Sequence, residues 1–94
     1  MSRFRCAPIT LQSARTQMIA RGETPRSIDA FMSELRDELY GPGASPSLVP
    51  VFVMGDTPHG MTLMAGAGRN MTHFWDPDDG WQRITPAMGN YTAN

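Results

Sequence analysis

A single cysteine, Cys6, is the only thiol in the chain, so no internal disulfide can form and a reducing compartment suits it. Long apolar runs are missing too; none approaches the length of a membrane span. The opening MSRFRCAPITL has arginines but no apolar segment behind them, so it is not expected to act as a secretory signal peptide. The expected location is the cytoplasm, or a host cell reached by specialised delivery. Charge is scarce: 18% of residues are charged and the formal net charge is −1. With no basic stripe, a nucleic-acid partner is not expected.

The 94 residues suffice for one small domain with one core. At this length about 60–65% of the unfolded surface can be buried. Eight methionines, five of them between Met54 and Met88, are many for such a chain. They suit irregular gaps in a core or an adaptable contact surface.

The chain divides into a helical part (8–41), a loop (42–48), a strand-rich part (49–84) and a tail (85–94). Thr10 is the expected N-cap of a first helix that Gly22 closes, with Leu11, Ala14, Met18 and Ala20 on its apolar stripe. Thr24 and Pro25 open a second helix, which Gly41 ends. Ile28, Phe31, Leu35 and Leu39 make its buried face; Asp29, Glu34, Arg36, Asp37 and Glu38 read as solvated.

From Val49 the periodicity changes. VPVFVMG (49–55) is wholly apolar and suits a strand covered on both faces. GMTLMAG (60–66), NMTHFWD (70–76) and WQRI (81–84) follow, with Asp79-Gly80 as a two-residue hairpin signal. The last ten residues read as a tail or an edge-covering segment. The expected class is α+β: two N-terminal helices packed on a small antiparallel sheet of three to four strands.

A hairpin centred on Ala67-Gly68 pairs 64 with 71, 62 with 73 and 59 with 76. His59 then stands opposite Asp76, within reach of an imidazole–carboxylate hydrogen bond. Such a carboxylate fixes the tautomer of a base and stabilises its imidazolium. The run H-G-M-T-L … T-H-F-W-D-P-D-D-G-W resembles the back half of papain-like cysteine proteases, nearest to the bacterial effector branch of YopT-like and AvrPphB-like proteases. The resemblance covers about residues 50–84. It implies a papain-like half-sheet with His59 as general base and Asp76 as its orienting acid; Cys6, outside that span, is the one cysteine available as the nucleophile. It also implies a protein or peptide substrate, or a second chain that completes the site.

The sequence departs from that family in two respects. Asp78 stands where the family has asparagine, and no Asn, Gln or His precedes Cys6 to build an oxyanion hole. Cys6 also reads as a small buried thiol, and the Asp-Pro stretch as an ordinary turn. Trp75 and Trp81 read as core or as the wall of a substrate cleft. No cofactor is expected, and no metal: His59 and His73 fall on opposite faces, and the Asp76–Asp79 cluster lacks the spacing of a calcium loop. A second functional reading is a small non-enzymatic binding protein of inhibitor, immunity or adaptor type, from a bacterial or phage setting.

Overall fold

The computed structural model describes residues 3–93, with side chains from Cys6 onward. Met1, Ser2 and Asn94 lie outside the described residues, as do the side chains of Arg3, Phe4 and Arg5. In chain order the elements are β1 (Arg3–Cys6), β2 (Pro8–Ile9), α1 (Leu11–Ala20), α2 (Pro25–Tyr40), β3 (Val51–Thr57) and β4 (Gly60–Gly66). Then come β5 (His73–Asp76), β6 (Gly80–Arg83), a 3-10 turn at Pro86–Met88 and β7 (Asn90–Ala93).

Both helices start where their caps predict. The Thr10 hydroxyl accepts the Ser13 N–H at 3.0 Å. Thr24 and Ser27 cap each other reciprocally, with Pro25 at the first helical position. Along α2, Ile28 and Leu35 are fully buried, Phe31 and Leu39 half-buried. Met32, one step round the helix, is also buried and was not part of the expected stripe. On α1 only Ala14 and Met18 are buried, while Leu11 and Ala20 face outward.

The class is α+β, as expected, but the sheet is larger. Five antiparallel strands run in the order β2-β3-β4-β5-β6, and a separate two-stranded parallel ribbon joins β1 to β7. The helical part therefore begins at Leu11 and not at residue 8, because Pro8–Ile9 pair with Val53 and Phe52 on the edge of β3. The tail is likewise structured: β7 lies beside β1 with Tyr91 opposite Phe4 and Ala93 opposite Cys6.

Strand alternation sorts the core into two layers. Phe52, Leu63, Ala65, Trp75 and Trp81 face the helices, against Ala14, Met18, Ile28, Met32 and Leu35. Val53 and Met64 face the opposite way, against Cys6, Met71, Met88, Tyr91 and Ala93. β3 is thus covered on both faces, which is what its unbroken apolar run requires. Helix 2 covers the sheet through Phe52, while Val51 and Val53 belong to the other layer. Among the described residues Met18, Met32, Met64, Met71 and Met88 are core, and Met61 is exposed.

Candidate functional site

The β4–β5 register differs from the one that the Ala67-Gly68 centre implies. Phe74 pairs with Met64 and His73 with Ala65. Continued two residues along, that ladder sets Asp76 level with Thr62, three positions from His59. Three residues of strand span roughly 10 Å, and an odd slip also reverses the face. The cause is the C-terminal strand. Ala93 donates to the Arg69 carbonyl at 2.7 Å, Met71 donates to the Tyr91 carbonyl at 3.0 Å, and Asn70 bridges to Thr92. Residues 69–71 are taken up by β7, so the loop between β4 and β5 widens and the pairing slides.

His59 and Asp76 consequently have separate local roles. His59 occupies the two-residue tip Pro58-His59 between β3 and β4, where Thr57 pairs with Gly60. The Thr57 hydroxyl accepts the His59 N–H at 3.0 Å and donates to the Gly60 carbonyl at 2.9 Å, which closes the turn. The imidazole is exposed and has no partner among the described residues. Asp76 accepts the Asp78 N–H at 2.8 Å and starts the turn into β6. That turn holds three residues, 77–79, not two: Asp76 pairs with Gly80, whose φ of 80° resets the strand.

Cys6 is on a strand, not at a helix N-terminus. Its thiol is 4% exposed, within the apolar layer of Val53, Met64, Met71, Met88 and Tyr91. A side chain on Gly55 would come within 3.1 Å of its sulfur, so the missing Cβ there makes room for it. Desolvation raises the thiol pKa above its ordinary 9.0. A nucleophilic cysteine needs the reverse shift. Burial, followed by the charges of Cys6 and Asp56, likewise raises the Tyr91 phenol above 10.0.

Both raised values have a consequence for stability. In the folded chain these two acids keep their protons to higher pH than in the unfolded chain. Their contribution is complete below the ordinary values and is lost as pH climbs through the folded ones, at up to about 1.4 kcal/mol per pH unit and group. Thermal melts are expected to be flat with respect to these groups below about pH 8 and to fall above pH 9. Cys6→Ala should make that alkaline fall shallower; an unchanged slope would show that the thiol does not contribute.

The histidine that does meet a carboxylate is His73. Its ring is 2% exposed, on the helix-facing side with Trp75. Nε2 lies 2.8 Å from Glu38 Oε2 of α2, and Nδ1 lies 2.8 Å from the Thr72 hydroxyl. Sequence reasoning placed Glu38 on the solvated face, and no short-range signal joins residues 35 apart. With both nitrogens engaged and the ring enclosed, the pair ties α2 to β5. The Glu38 side chain is 44% exposed, so solvent screens the ionic part of the contact.

Trp75 and Trp81 face each other across β5 and β6 as core residues. Phe31 meets Trp75 edge-on, ring centroids 6.1 Å apart, and Phe52 meets Trp81 at 6.3 Å. Among the described residues no three metal-ligating side chains converge, and no helix is long and apolar enough to cross a membrane. Compared with protein-family models, curated proteins and solved structures, the chain matches none of them.

Proposed function

We propose that the chain is a small non-enzymatic binding protein, of inhibitor, immunity or adaptor type. The observation that carries this reading is the dispersal of Cys6, His59 and Asp76. The thiol is enclosed on the ribbon side of the sheet, the imidazole is at an exposed hairpin tip, and the carboxylate closes its own turn. A base must reach the proton it removes, within about 3 Å or through one water. Thiol-dependent hydrolysis by this trio lacks that geometry. The same separation weighs against the chain being the His/Asp half of a divided protease, because a second polypeptide does not reset the β4–β5 ladder. Exposed apolar side chains at Leu11, Leu48 and Val49 favour contact with another molecule.

Iodoacetamide labelling separates the readings. At mildly acidic pH the native thiol should react at least about tenfold more slowly than the urea-unfolded chain, because burial both shields it and holds it protonated. His59→Ala should leave the native rate unchanged. Fast native labelling that His59→Ala suppresses would restore the cysteine-hydrolase reading and remove the present one.

A further inference from the structure

Between α1, α2 and the segment that leads into β3 lies an open cavity of about 270 Å³. Leu11, Met32, Leu48 and Val49 supply its apolar walls, with Arg15, Asp29 and Arg36 beside them. Among the described residues five large apolar side chains are exposed. Three of them, Leu11 at 39%, Leu48 at 41% and Val49 at 54%, line this one concavity. Scattered exposure is ordinary, whereas exposure gathered around a cavity marks a contact site.

Volume and charge narrow the occupant. Small-molecule sites run from about 300 to 1,000 Å³ and enclose most of the ligand. This cavity stands at the lower edge of that range and is open, which suits one side chain of a larger partner in the manner of an anchor residue. Two guanidinium groups flank one carboxylate. Arg15 is held by Asp29 at 3.0 Å. Arg36 donates through Nε to the Leu48 carbonyl at 3.3 Å, and its other nitrogens have no partner among the described residues. The excess charge is therefore one cation with its paired donors unused, a geometry that matches a carboxylate.

The walls are also held in advance. Arg36 fixes the Leu48 carbonyl, and the Tyr40 hydroxyl donates to the Val49 carbonyl at 3.4 Å. A backbone segment fixed before binding loses less freedom on contact.

We infer that this groove docks a segment of a protein partner, with one apolar side chain in the cavity and a neighbouring carboxylate on Arg36. The inference deepens the binding-protein reading and rests on it.

A random heptapeptide library, displayed on phage and selected on the immobilised full chain, tests it. Enriched peptides should pair Leu, Ile, Met or Phe with a nearby Asp or Glu. A synthetic peptide of the enriched sequence should bind Leu48→Glu at least about tenfold more weakly than the native chain. Val49→Asp serves as a second variant, and both positions are exposed enough to keep the native melting profile. Arg36→Gln should weaken the acidic peptide by about tenfold and leave its amide counterpart unaffected.

An empty selection, enriched peptides without an acid, or binding indifferent to both groove variants would overturn the inference. So would a concentration-dependent dimer that Leu48→Glu abolishes, because it would identify a second copy as the occupant. Failure of this kind with an inert Cys6 removes the groove and leaves the binding-protein reading intact. A reactive, His59-dependent Cys6 removes that reading whatever the peptides do.

Discussion

Trp75→Ala is expected to destabilise the protein by about 3–5 kcal/mol, a large share of the 5–15 kcal/mol that holds a domain of ordinary size. The indole is 1% exposed and lies at the junction of both helices' cover with the sheet. It meets Phe31 of α2 edge-on and stands opposite Trp81. Removing it leaves a cavity that neighbours on two rigid elements cannot close. Phe31→Ala should cost less, about 2 kcal/mol, because that ring is only half-buried. Urea melts of the two variants against the native chain measure both. Equal costs, or a loss below about 1 kcal/mol for Trp75→Ala, would show that α2 does not seal this face.

Gly66→Ala should be the next most damaging change, at about 3 kcal/mol, the upper end of the usual cost of overpacking. A methyl group at Gly66 would overlap the Asn70 carbonyl oxygen and stand 3.2 Å from the Met71 Cα. Both obstacles are main chain, so no side-chain rotation relieves them. Gly68, two residues on, has nothing within 4 Å of the same methyl position. Gly68→Ala should be neutral or slightly stabilising, by up to about 1 kcal/mol through the unfolded state. The pair of melts reads the register directly. In a tight hairpin centred on Ala67-Gly68, residue 68 would be the sensitive one.

That contrast also explains why the candidate site was only partly legible. The expected His59–Asp76 opposition followed correctly from a tight turn, but the turn is not tight. Residues 69–71 hydrogen-bond to β7, about twenty residues later in the chain, and this detour slides β5 by three positions. No local pattern around Ala67-Gly68 carries that information. The Asp-Pro stretch itself was legible as a turn, since Asp76 and Gly80 perform the roles that their residue types favour.

Taken alone, the sequence determined what depends on neighbours within a few residues. Thr10 and Thr24 cap α1 and α2, Gly41 ends the second helix, and GMTLMAG is β4 residue for residue. The unbroken apolar run of β3 likewise announced cover on both faces. Tertiary structure alone decided the pairings between distant segments: β1 with β7, Pro8–Ile9 on β3, and His73 with Glu38. The physical reason is the range of the interactions. Caps, turns and alternation are fixed by backbone geometry over three to five residues, whereas ladder partners are chosen by which faces and edges remain uncovered once the core has formed. Cys6 shows the consequence most directly, because its fate as an enclosed thiol depends on Tyr91, Met88 and Ala93 at the far end of the chain.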